Sequence, residues 1–88
     1  MQFEKGMVVR SKKGHDKGKF FVVIRLENDR ADLIDSDART LDSPKKKNLV
    51  HLAPTKTVID EASLRSDSKI RKILSGFNGR VALPKEVM

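Results

Sequence analysis

Apolar residues in the first half of the chain come in short blocks separated by polar turns, a pattern typical of β-strands. Val8-Val9 form the first block, and Phe20 to Leu26 form a longer one rich in β-branched and aromatic residues. In the longer block both alternating sets of positions are apolar at the start, and one set becomes polar toward the end. We therefore expect a strand buried on both faces at its start and on one face at its end, as in a small curled sheet.

Three shorter strands are expected after this block, because turn residues divide the chain that follows. Glu27 to Arg30 has the composition of a hairpin turn. The expected strands are Ala31 to Asp35, Ala38 to Leu41, and Asn48 to Leu52, which Ala53-Pro54 would end. Pro44 cannot donate a hydrogen bond to a neighbouring strand, which leaves Lys45 to Asn48 as a basic loop. Five short strands with frequent turns predict a mainly β fold, a small SH3-like barrel.

The C-terminal third changes to a helical period. One apolar face at positions i, i+3, i+4 and i+7 is formed by Ile70, Ile73, Leu74 and Phe77. It predicts a helix from about residue 67, capped by Ser66 or Asp67, to about residue 75, with Gly76 ending it. So short a helix is not stable alone in water, so it must dock, on the barrel in preference to a partner.

These elements divide the chain into two parts. Residues 1–57 are expected to form the barrel, and residues 58–88 a C-terminal extension that contains the short helix. We expect residues 54–65 to be a linker with little regular structure, and residues 79–88 to end loosely.

Composition limits the class of protein. The chain has 88 residues, a net charge of +7 and no cysteine, so neither disulfides nor thiolate metal sites can brace the small core. The N-terminus does not resemble a leader peptide, and no apolar run approaches the roughly 20 residues of a membrane span. We expect a cytoplasmic protein without a membrane segment.

The link between the first two strands has the composition of an anion-binding loop. Ser11 to Lys19 contains four lysines and two glycines. Gly14 and Gly18 are expected to adopt positive φ and allow tight turns. Four lysines on one loop repel each other, and an anionic partner would relieve that repulsion.

A second basic segment follows an acidic one. Residues 25–44 hold six acids and three cations, whereas residues 45–56 hold four lysines and no acid. This layout predicts one basic surface, built from two lysine-rich loops, and one neutral or acidic surface.

Seven residues in the first basic region have a spacing that resembles the KOW motif of ribosomal and transcription-elongation proteins. They are Gly6, Val9, Gly14, Asp16, Lys17, Gly18 and Lys19. The resemblance extends through Arg39-Thr40-Leu41, Pro44 to Leu49 and His51-Leu52, and so covers residues 5–53. The chain is similar to bacterial KOW-domain RNA-binding proteins, which are similar to an archaeal and eukaryotic large-subunit ribosomal protein family. Many KOW motifs have another glycine where this chain has Phe20-Phe21-Val22.

The resemblance implies an SH3-like barrel that binds RNA, with large-subunit ribosomal RNA as the expected partner and ribosomal proteins as further ones. The expected contacts are Lys12, Lys13, Gly14, His15, Lys17, Gly18, Lys19, Arg39, Lys45, Lys46, Lys47 and Asn48. With four Phe and no Tyr or Trp, the chain has few side chains on which unpaired bases could stack, which favours a folded RNA. Away from RNA we expect a monomer.

Signs of catalysis are missing from the sequence. There is no P-loop, dinucleotide fingerprint or nucleophile–base pattern, and His15 and His51 are not spaced as a metal pair. We expect no enzyme activity and neither cofactor nor metal.

Two other partners of the lysine-rich segments remain possible interpretations of the sequence. The lysine-rich segments could dock the barrel on an acidic protein of the translation or transcription machinery. Duplex DNA also presents phosphates, and only the 2′-hydroxyl distinguishes RNA from it. A permanent ribosomal component and a transient assembly or translation factor are equally compatible with the sequence.

Overall fold

Five β-strands form one antiparallel sheet, followed by a single helix. The computed structural model describes residues 3–82, with side chains for residues 3–78. The strands are β1 (Met7–Ser11), β2 (Phe20–Glu27), β3 (Arg30–Ile34), β4 (Lys45–Asn48) and β5 (Leu52–Val58), and the helix is α1 (Asp67–Ala82). Their order in the sheet is β4-β3-β2-β1-β5, and β4 is not hydrogen-bonded to β5, so the sheet is not closed. The mainly β class is confirmed, and this strand order is consistent with a small SH3-like barrel.

The sheet has an apolar core on each face, because the middle strands alternate between two buried sets. The core on one face, called the first core below, is formed by Met7, Val9, Phe21, Val23, Ala31, Leu33 and Leu52. The other side buries Val8, Val22 and Ile34 against Ile59, Leu64, Ile70 and Leu74. The start of β2 is thus buried on both faces, as predicted. Its end is exposed on both faces, since Leu26 faces solvent beside Arg25 and Glu27.

Helix α1 packs on the second face of the sheet, which confirms that it docks on the β domain. Ile70 and Leu74 are fully or almost fully buried, and Ile73 and Phe77 pack around them. The Ser66 hydroxyl accepts the Lys69 N–H at 3.3 Å and so caps the helix, as predicted. Burying this face provides the stability that the isolated helix lacks.

The predicted helix end at Gly76 is wrong, because α1 continues to Ala82. Asn78, within this extra turn, pairs with the backbone of Phe20 at the start of β2. Its Oδ1 accepts the Phe20 N–H at 2.9 Å, and its Nδ2 donates to the Phe20 carbonyl at 3.3 Å. Tertiary contacts therefore extend the helix past a residue that usually ends one. The loose end expected from residue 79 is helical to residue 82, and the remainder lies outside the described residues.

The fourth predicted strand, Ala38 to Leu41, is instead part of the loop between β3 and β4. Asp35 folds this loop, since its Oδ1 accepts the N–H groups of Asp37 at 2.9 Å and Arg39 at 2.8 Å. Backbone groups bound to a carboxylate within the loop are not available to a neighbouring strand.

The predicted basic loop is strand β4. Lys46 lies opposite Asp32 of β3, and Lys47 lies opposite Ala31. Lysine has a weak strand propensity, and here opposite charges across the sheet compensate for it.

The last strand begins later than predicted. Leu49–His51 forms a 3₁₀ turn, which the Asn48 side chain caps by accepting the Val50 N–H at 3.0 Å. Strand β5 then continues through Ala53-Pro54, which was expected to stop it. Proline is tolerated here because β5 is an edge strand.

The expected linker is also partly structured. Residues 54–58 belong to β5, and Ile59 and Leu64 are buried under α1. The division of the chain after residue 57 stays a prediction.

Replacing Asn78 with alanine is expected to lower the free energy of unfolding by about 1 kcal/mol, because the Phe20 backbone loses two hydrogen bonds. Urea unfolding measures this change. The control is Ser68→Ala on the exposed side of α1. Equal stability of the two variants would show that Asn78 does not hold the helix end.

No helix in the described part of the chain is both long enough and apolar enough to cross a membrane.

Candidate nucleic-acid interface

Residues 12–19, called the lysine loop below, connect β1 to β2 and are closed by backbone hydrogen bonds. The Ser11 N–H donates to the Lys19 carbonyl at 2.9 Å, and the Gly18 N–H donates to the Ser11 carbonyl at 2.8 Å. Gly14 and Gly18 have φ of 93° and 89°, which confirms their predicted role in turns. The loop therefore has a defined backbone in the absence of a partner.

Asp16 lies at the centre of the lysine loop and ties it to β4. Its Oδ2 is 2.6 Å from Lys45 Nζ, and its Oδ1 is 3.0 Å from Lys47 Nζ. The hydroxyl of buried Ser11 donates to Oδ1 at 2.7 Å. Lys47 also donates to the Lys13 carbonyl at 2.9 Å, so it contacts both the centre and the start of the loop.

The charge of Asp16 is strongly favoured in the folded protein. Burial by itself would raise the pKa of this carboxyl. The hydrogen bonds from Lys45, Ser11 and Lys47 outweigh burial and hold the pKa well below its ordinary value. Asp16 therefore stays ionised and uses two of the nearby lysines for structure.

Three lysines of the loop are left for a partner. Lys12, Lys13 and Lys17 are exposed, and none of them forms an ion pair with a described residue. His15 is exposed beside them. These side chains project from a loop whose backbone is held in place, so little backbone ordering is needed when an anion binds.

Lys19, the fourth lysine of the loop, is committed to the protein. Its Nζ lies 2.6 Å from Oδ2 of buried Asp35 and 5.6 Å from the centroid of the Phe21 ring. Apart from that ion pair, the buried Oδ2 of Asp35 has no partner in hydrogen-bond geometry among the described residues. Burial would raise the pKa of Asp35, but Lys19 and the N–H groups of Arg39 and Asp37 lower it. The Arg39 side chain itself is exposed.

The lysines of β4 are also paired with carboxylates, and Lys45 and Lys47 bring the second basic segment against the lysine loop. The predicted division into one basic and one neutral or acidic surface stays a prediction. Lys46 points away from its two neighbours and lies 3.0 Å from Asp32 and 3.3 Å from Glu27. Hydrogen bonds to Asp32 and then Glu27 raise the pKa of Lys46. Asn48 is used as a cap. Of the three β4 lysines, Lys46 alone pairs with acids of the acidic segment, whereas Lys45 and Lys47 pair with Asp16 of the lysine loop.

The structural roles of two acids were not predicted from the sequence. Asp16 organises the lysine loop and Asp35 the loop between β3 and β4. Asp16 was named in the motif, and its position as a single acid among four lysines was the available signal for its role. Arg65, Lys69 and Lys72, on the exposed side of α1 and the turn before it, also form no ion pair with a described residue, but they are not part of the lysine loop.

Metal ligands do not come together in the part of the chain described. No group of three or more His, Asp or Glu side chains there could hold a metal ion.

Models of protein families and curated protein sequences were both compared with the chain, and neither comparison finds a match. The KOW resemblance therefore stays a prediction.

Proposed function

We propose that this is a non-catalytic RNA-binding protein of the cytoplasm that contacts the phosphates of structured RNA, with ribosomal RNA of the large subunit as the partner. The observation that carries the proposal is the state of the lysine loop. Three of its lysines are exposed and unpaired with any described acid, on a backbone that hydrogen bonds and Asp16 hold in place. Binding there replaces condensed counterions on RNA with fixed ammonium groups, and the released ions drive association.

Lys45, Lys46 and Lys47 stay proposed as further contacts, in a different role from Lys12, Lys13 and Lys17. Each already has a carboxylate partner, so RNA phosphates would have to share it. Replacing them would also disturb the sheet. They are therefore a poor test of RNA binding by themselves.

The first test is sedimentation of the protein with ribosomal particles across a salt series. We expect it to move with large subunits at low salt and to leave them as salt rises. A protein that stays at the top of the gradient at low salt would remove the ribosome from the proposal, and structured RNAs, duplex DNA and acidic proteins would then be compared directly.

The second test replaces the unpaired loop lysines together, as Lys12→Ala, Lys13→Ala and Lys17→Ala. We expect affinity for structured RNA at low salt to fall by about tenfold or more. The slope of log affinity against log salt should become shallower by roughly 2 to 3, since about 0.7–0.9 is lost for each phosphate contact. Filter binding at several salt concentrations measures both quantities.

The matched control removes the same charge elsewhere, through Lys56→Ala, Lys69→Ala and Lys72→Ala. All three side chains are exposed, and none forms an ion pair with a described residue. A clearly smaller effect supports contact through the lysine loop. Equal effects in the two triple variants would mean that net charge alone is responsible and would contradict the proposed site.

A further inference from the structure

An apolar cleft of about 380 Å³ lies directly beside the lysine loop. Its walls include Phe3, Leu49, Val50, Leu52 and Pro54, and Lys12 is the one charged residue among those lining it. Val50 is 68% exposed, the largest value for a big apolar side chain in the described residues. An apolar wall left open next to a cation is a feature that the phosphate contacts do not use.

The cleft is held open by contacts between the loop and the 3₁₀ turn. The Lys12 N–H donates to the His51 carbonyl at 2.8 Å, which fixes the loop against the turn. Asn48 caps the turn and so sets the position of Val50. Leu49 and Phe3 pack against the first core, which supports the wall of the cleft. The cleft is thus formed without a ligand.

Charge and shape together favour one kind of occupant. A nucleotide joins a flat base with two apolar faces to an anionic phosphate, and this cleft joins an apolar wall to Lys12. Phe21 is buried, and Phe20 and Phe77 pack on each other with ring centroids 5.1 Å apart. Phe3 is therefore the one phenylalanine that lines this cleft.

We propose that the cleft takes the base of a single unpaired nucleotide in an otherwise structured RNA, while Lys12 contacts a phosphate next to it. This inference rests on the proposed function and specifies its substrate. With one base-sized cleft, the protein would recognise a bulged or extruded nucleotide. It would not follow a long single strand, which needs successive stacking platforms.

The test compares three RNA hairpins with the same stem. One has a perfect duplex, one has a single bulged purine, and one has an abasic nucleotide at the bulge. We expect the bulged hairpin to bind roughly tenfold more tightly than the other two, the effect of one stacked base. The abasic hairpin has the flexibility and phosphates of a bulge, so it isolates the contribution of the base.

Two matched variants then locate the preference. Val50→Ser should reduce the preference for the bulged hairpin to less than about threefold and leave binding to the perfect hairpin unchanged. Val58→Ser changes a valine that is also exposed, at the other end of β5, and should keep the preference. Circular dichroism checks that both variants are folded.

The outcomes separate the two proposals. Equal affinity for the bulged and abasic hairpins would overturn the base-binding cleft while leaving phosphate binding by the lysine loop intact. If Val50→Ser keeps the preference for the bulged hairpin, the base binds elsewhere, and the base-binding cleft is overturned as well. Failure to bind any of the three RNAs would overturn the proposed function itself. Capture of an acidic peptide that depends on Val50 would replace RNA as the occupant of the cleft.

Discussion

Replacing Gly6 with alanine is expected to lower the free energy of unfolding by about 3 kcal/mol or more. Gly6 has a φ of 93°, and a Cβ added there would lie 2.5 Å from the carbonyl oxygen of Ile59. That oxygen belongs to backbone that cannot move away easily. The Ile59 N–H donates to the Gly6 carbonyl at 2.7 Å, and the Gly6 N–H donates to the Val23 carbonyl at 2.7 Å.

Gly18→Ala is the matched control, because it separates backbone strain from the steric clash. Gly18 has nearly the same φ, 89°, but an added Cβ would meet no atom within 4 Å. We expect a loss of about 1 kcal/mol, the usual penalty of a left-handed conformation for alanine. In thermal unfolding, each kcal/mol lowers Tm by roughly 4–8 °C for a domain of this size.

Comparing the two variants assigns a role to two glycines of the KOW-like pattern. A much larger effect at Gly6 would show that this glycine is required by packing between β1 and the segment after β5. Similar losses at both sites would contradict the predicted clash and leave positive φ as the common cause.

Asp16→Ala is expected to lower the free energy of unfolding by about 2–4 kcal/mol at neutral pH. The change leaves Lys47, whose side chain is only 11% exposed, without a carboxylate, and it removes the partner of Lys45. It also removes the carboxylate that links the centre of the lysine loop to β4 and leaves the hydrogen bond from Lys47 to the Lys13 carbonyl as the remaining side-chain link among the described residues. Asp42→Ala is the control, because Asp42 is exposed and its side chain has no hydrogen bond or ion pair with a described residue.

The same residue predicts how stability depends on pH. The pKa of Asp16 is lower in the folded protein than in the unfolded chain, and that of Asp35 is shifted in the same direction. Their contribution is therefore fully present above the ordinary carboxyl pKa of about 4 and is lost as pH falls through the folded values. Urea unfolding at several pH values should show a shallower acid decline for Asp16→Ala than for the wild type or Asp42→Ala. An identical decline in all three proteins would mean that Asp16 is not held ionised by folding.

Local pattern was sufficient for some elements and not for others. The position of β2, the burial of its first half and the apolar face of α1 were predicted correctly, because alternating or helical spacing of large apolar residues indicates one type of element. The predicted burial of one face at the end of β2 was wrong. Strand β4 was missed because three consecutive lysines have the composition of a loop. In the folded chain the carboxylates of Asp16, Glu27 and Asp32 lie beside these lysines and offset the repulsion that disfavours a strand there.

Some features of the candidate site could likewise be predicted from the sequence, and others could not. The lysine loop and its turn glycines follow from sequence, because glycine freedom and lysine charge are properties of single residues. The sequence does not indicate which of these lysines lack a carboxylate partner. Lys19 and Lys12 are seven residues apart, yet one is paired with buried Asp35 and the other borders an open cleft.

The sequence by itself thus determined the mainly β class, the turns, the presence of a C-terminal helix and the basic character of the chain, since each depends on neighbouring residues. The tertiary structure alone decided where the helix ends, which segment forms β4 and how the charges pair. Those features depend on groups distant along the chain, such as Asn78 and Phe20 or Asp16 and Lys47. Their contacts require the sheet, which brings these distant segments together.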